Sequence, residues 1–205
     1  DLGVFLLAKA AKRPDLSFAE RAFALKMAVQ IDLIPRLCFT LMFPVGLQLS
    51  ASGGFVAIPS WALTLAWVAS AAWIALLLAI GRAEGTPSAH TLNRLHLAWQ
   101  ALLLLGLGTL GVFALLGLGP LPGGWYGLKI LLFALIFAMG IGIDIAFRPI
   151  GPAFMRLATE GSQPDIEHSI STAVDGAIRY VLGLYALLIV IAFIGITKLV
   201  FDPHL

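Results

Sequence analysis

Acid and base recur four residues apart at three places in this chain: Asp32 with Arg36, Asp144 with Arg148, and Asp175 with Arg179. The spacing puts both side chains on one helical face, so each pair can neutralise itself where a lone charge is costly. As structural ion pairs they would fix helix depth by reaching toward lipid headgroups. Arg36 promises more, because an arginine one turn inside an apolar run faces a partner, a cavity or an anionic ligand. His96 is either a ligand or a hydrogen-bonded packing residue, and a haem held by two histidines would need a second at similar depth; His90 and His168 both fall in loops. Lys129 stands apart. It has no acid three or four residues away, and Trp125 stacks one turn before it. Two readings stay open: a lysine snorkelling past an interfacial tryptophan, or a cation aimed into the protein at a carboxylate, a porphyrin propionate or a substrate.

The elements that must position these groups are membrane helices. Of 205 residues, 60% are hydrophobic and 12% charged, and the mean hydropathy is +0.98. Those values fall outside the range of soluble domains. A net charge of +2 with the basic residues grouped in loops argues against nucleic acid as a partner. The single cysteine, Cys38, allows no internal disulfide and no Cys-based metal cluster. Copper(I) favours clustered Met, Cys and His, whereas Cys38, Met42 and Met139 are single residues on different turns or helices.

The expected fold is an all-α polytopic bundle of five complete spans plus the end of a truncated first span. Residues 1–8 read as that partial span, being apolar but far shorter than the ~20 residues a crossing needs. Ser17 and Glu20 form a capping box that starts an amphipathic surface helix over 18–32. Pro35 is the expected bend into a span over 33–52, with a second kink at Pro44. Further spans are expected over 61–80, 92–117, 125–147 and 176–200, and a polar loop from Arg148 to Thr172. Gly106, Gly108 and Gly111 satisfy a dinucleotide-binding pattern, but inside a long apolar run they predict close helix contact instead. The loops after the first, third and fifth spans hold Lys9, Lys12, Arg13, Arg21, Lys26, Arg82, Arg148 and Arg156, while those after the second and fourth are uncharged. By the positive-inside rule the charged set is cytoplasmic, which places the chain as a multi-pass protein of the bacterial inner membrane.

Gly124-Trp125-Tyr126-Gly127-Leu128-Lys129 resembles the G-W-x-x-x-K stretch of the HemJ-type membrane protoporphyrinogen oxidases. Arg36, Pro44 and Gly46 resemble that group's Arg–Pro–Gly helix, and Val190 to Phe201 its C-terminal helix. The wider CopD-like copper-resistance proteins look similar in organisation. The resemblance implies an integral membrane protein linked to haem or copper, in which Arg36 and Lys129 contact an anionic cofactor or substrate and His96 is a candidate ligand. Two other functions are compatible with the residues. A non-catalytic accessory subunit, or a self-associating protein, would use the Gly-rich fourth span against membrane-protein partners or a second copy. A small transporter would use the Asp–Arg pairs as a gate. In every case the lipid bilayer is a partner.

Overall fold

A computed structural model describes residues 2–83, 85–119 and 121–198. Asp1, Glu84 and the Leu199–Phe201 part of the C-terminal resemblance lie outside the described residues. The chain is all-α, with seven helices and no strand among the described residues: α1 Leu2–Ala11, α2 Phe18–Ser52, α3 Ser60–Arg82, α4 Pro87–Leu115, α5 Gly124–Phe147, α6 Ile150–Glu160 and α7 Pro164–Thr197. Five stretches are long and apolar enough to cross a membrane: α2, α3, α4, the run from Gly124 to Glu160, and α7. The chain is therefore a multi-pass membrane protein. Only helices satisfy every backbone group locally in hydrocarbon, which is why the apolar runs take this form.

Local sequence sets the boundaries. Ser17 donates its backbone N–H to Glu20 Oε2 at 2.8 Å, and the Glu20 backbone N–H reaches Ser17 Oγ at 3.4 Å. This is the expected capping box, and α2 starts at the next residue. Pro87 and Pro164 open α4 and α7, where a missing N–H costs nothing. Gly161 ends α6 at φ +78°, a conformation that a side chain would strain.

Two expectations need correction. The surface helix over 18–32 and the span over 33–52 are one continuous 35-residue helix, and neither Pro35 nor Pro44 interrupts it. At 1.5 Å per residue α2 is about 52 Å long, well beyond a ~30 Å hydrocarbon core. The polar loop from Arg148 to Thr172 is also largely helical, holding α6 and the first turns of α7. The signal was present: Ile150, Ala153, Phe154 and Leu157 recur at helical spacing and all four are buried.

The contacts divide into two units. One runs to Arg36 and from Met139 to Leu184; the other holds Leu37 to Ala138 and the chain from Tyr185. In the first, Phe154 and Leu157 of α6 pack with Ala24 of α2 and with Ile166, Ile170 and Val174 of α7. Arg21 is buried against this core. Its Nε donates to the Ala11 carbonyl at 2.9 Å, and its two terminal nitrogens donate to both oxygens of Glu167 at 2.7 and 2.8 Å. One guanidinium thus ties together the end of α1, the start of α2 and the start of α7.

In the second unit Trp73 and Leu77 of α3 pack with Phe137 of α5, surrounded by Phe39, Trp99 and Phe133. Helices approach closely where side chains are small. A Cβ on Gly111 would lie 2.7 Å from the Leu131 backbone nitrogen of α5, while Gly106 faces open space. The glycine pattern therefore serves contact between α4 and α5, as its setting suggested.

Arg21→Ala should lower unfolding stability by about 3 kcal/mol, since it strands a part-buried carboxylate and a carbonyl together. Denaturant titration of the detergent-solubilised protein measures this, and a loss below about 1 kcal/mol would show that the guanidinium is not a structural tie. Gly111→Ala should cost about 1–3 kcal/mol through backbone collision. Gly106→Ala should be neutral or gain up to about 1 kcal/mol from helix propensity; equal effects at the two glycines would contradict the packing.

Candidate functional site

In the second unit, α5 begins at Gly124 with φ +57°, a left-handed residue that turns the chain into the helix. Trp125, the next residue, stacks edge-on against Phe55 at 5.3 Å and against Tyr126 at 5.6 Å. One turn further on, half-buried Lys129 lines a cavity of about 130 Å³ with Gly46, Ser50, Phe55, Trp125 and Tyr126. The ammonium is pressed against α7: a Cβ on Gly195 would lie 2.9 Å from Nζ, so a glycine there leaves the cation its room. Among the described residues no carboxylate pairs with it.

A second cation reaches the same aromatic. Lys198, just past the end of α7, holds its Nζ over the Phe55 ring at 4.8 Å. Phe55 thus lines the Lys129 cavity and carries Lys198 over its ring, where the α2–α3 loop, the start of α5 and the end of α7 come together. The pairing has no signature in sequence, since 69 residues separate the two lysines. Only the Trp125–Lys129 half of the site was visible as a motif.

His96 of α4 is also in this unit and is buried. The Trp73 indole donates to its Nδ1 at 3.1 Å, and the Gln100 side-chain amide lies 2.7 Å from its Nε2. An indole N–H can only donate, so Nδ1 is the acceptor and a neutral ring carries its proton on Nε2; Gln100 accepts that proton through its amide oxygen, with the amide turned so that oxygen and not nitrogen faces the ring. Both ring nitrogens are thus engaged, and the histidine does not fit the role of a haem axial ligand in this arrangement. Nor do the described residues gather three or more His, Cys, Asp or Glu side chains around a point that could hold a metal. Cys38 is exposed, and a Cβ on Gly183 would lie 3.0 Å from Met139 sulfur, which places that thioether in helix packing.

The three acid–base pairs resolve differently in the first unit. Asp32 and Arg36 pair along α2 at 2.5 Å, and Arg36 extends to Asp144 of α5 at 3.4 Å. Asp175 takes Lys12 as its partner, with contacts of 2.6 and 2.8 Å. Arg179 donates Nε to the Asp175 backbone carbonyl at 3.3 Å, and Arg148 makes no side-chain ion pair among the described residues. Spacing of four sets which groups share a face, but a cation arriving from another element competes for the same carboxylate. Lys12 wins Asp175 because the α1–α2 connection brings it there.

His96→Ala should destabilise the protein by about 1–3 kcal/mol, because the Trp73 indole loses its acceptor inside the protein. Thermal unfolding followed by tryptophan emission reads this, and an unchanged transition would mean that the hydrogen bond carries no weight. Compared with protein-family models, with curated proteins and with solved structures, the chain shows no match.

Proposed function

We propose that the chain is a CopD/HemJ-like protein of the bacterial inner membrane that binds the anionic group of an amphiphilic cofactor or substrate at Lys129. The observation that carries this reading is a half-buried ammonium facing a cavity with no carboxylate to neutralise it among the described residues. An unpaired cation away from water is costly unless something anionic arrives. Lys198, above the same Phe55 ring, adds to the positive field. A porphyrin carboxylate is the anion that the family resemblance implies.

Size narrows the mode of binding. At about 130 Å³ the cavity falls short of the ~300 Å³ at which small-molecule sites begin. It would admit a carboxylate and a few methylene groups, not a macrocycle. The body of such a ligand would lie outside the cavity, against the aromatic rim of Phe55 and Trp125. A haem coordinated by His96 is no part of the proposal, because that ring is already engaged at both nitrogens. The accessory-subunit reading leaned on the glycines of α4, and Gly111 is used inside the chain against α5.

Titration of the detergent-solubilised chain with protoporphyrin IX, followed by quenching of tryptophan emission, tests the reading. Binding should saturate, weaken about tenfold or more in Lys129→Gln, and be largely kept in Lys129→Arg. The dimethyl ester of the same porphyrin, which lacks the anionic groups, should bind as weakly as the acid binds Lys129→Gln. Equal affinity for acid and ester would sink the proposal.

A further inference from the structure

The first unit contains a larger hollow, a groove of about 620 Å³ between the end of α5 and the first half of α7. One wall is Ile145 and Ala146 of α5 with Pro149 just beyond its end; the α7 wall carries His168, Ser169, Thr172, Arg179 and Tyr180. The two helices close on each other at its base, where a Cβ on Gly176 would sit 3.2 Å from Ala146 Cβ. No part of the lysine cavity or of the proposed function uses this groove.

Its polar groups are mostly hydrogen-bond donors. The hydroxyls of Ser169, Thr172 and Tyr180, the His168 imidazole and the Arg179 guanidinium can all donate hydrogen bonds. The one carboxylate on the lining, Asp165, pairs with Arg156 at 3.0 Å. Arg179 spends its Nε on the Asp175 backbone carbonyl, and its terminal nitrogens have no partner among the described residues. A donor-rich groove whose guanidinium keeps both terminal nitrogens open is complementary to a phosphate, whose oxygens match the planar fork of arginine.

The flanks say which phosphate. Ile145 and Tyr180 are exposed beside the arginine, and Leu182, three residues beyond Arg179 on the same face of α7, is exposed as well. A free phosphate has no use for an apolar flank that begins at its binding cation; a lipid does, because its phosphate and acyl chains need adjoining polar and apolar surface. We propose that this groove holds one anionic phospholipid, with its phosphate at Arg179, His168 and Thr172 and an acyl chain along Ile145, Tyr180 and Leu182.

Native mass spectrometry of the full-length chain, titrated with phosphatidylglycerol or phosphatidylcholine, tests this directly. The expected result is one saturable phosphatidylglycerol adduct, at least tenfold tighter than phosphatidylcholine, that inorganic phosphate at matched concentration does not displace. Arg179→Gln should bring phosphatidylglycerol down to the phosphatidylcholine level. Thr172→Trp, which fills the groove but keeps the arginine, should do the same, while Arg148→Gln should change affinity less than twofold. Equal loss in Arg148→Gln would reveal diffuse charge attraction, and unaltered binding in Thr172→Trp would place the lipid elsewhere. Displacement by inorganic phosphate would make this a free-phosphate site. Any of the three outcomes overturns the proposal.

Discussion

A charge taken out of water must meet an opposite charge, and this requirement organises the polar half of the molecule. Arg21 is nearly sealed from solvent and answers it with a bidentate carboxylate and a backbone carbonyl. Because those partners lie on α7 and α1, the pairing also decides where three helix ends meet. Lys12 with Asp175, and Arg36 with Asp32 and Asp144, extend the same rule. Each contact joins segments that hydrophobicity alone would leave free to slide, since apolar side chains gain little by exchanging lipid for one another.

Lys129 is the place where the rule is not met from within the described residues, and it therefore has the strongest claim to a ligand. Its setting differs from that of Arg36, which has two carboxylates close by. A lysine at the end of a span can normally stretch its stem to the headgroup layer. Here the ammonium lies against the glycine at 195, in a cavity that Phe55 also lines.

How much could be read without coordinates depended on the range of the interaction. The number of spans, the capping box at Ser17 and Glu20, and the use of Gly111 for close packing are local or compositional, and each was legible. The division of α2 at Pro35 did not follow, because neighbouring helices can hold the turns that flank a proline, and the neighbours are not written in the local sequence. The amphipathic period of α6 was legible but masked by the charged residues around it. The partners of Arg21, Lys12 and Lys198 lie 146, 163 and 143 residues away and leave no local trace.

The same distinction separates the two proposed sites. At Lys129 a short motif marked the residue, and the structure supplied the second cation and the cavity's size, which together limit a ligand to inserting its anionic end. At the α5–α7 groove the sequence marked Arg179 only as half of a pair with Asp175, which seemed already to neutralise it. Once Lys12 holds both oxygens of that carboxylate, Asp175 acts on Arg179 only through space, and the guanidinium keeps a backbone oxygen at one nitrogen and open donors at the other two. An ion pair made by a distant lysine thus frees an arginine for an anion, and the groove's chemistry follows from that exchange of partners more than from any residue in it taken singly.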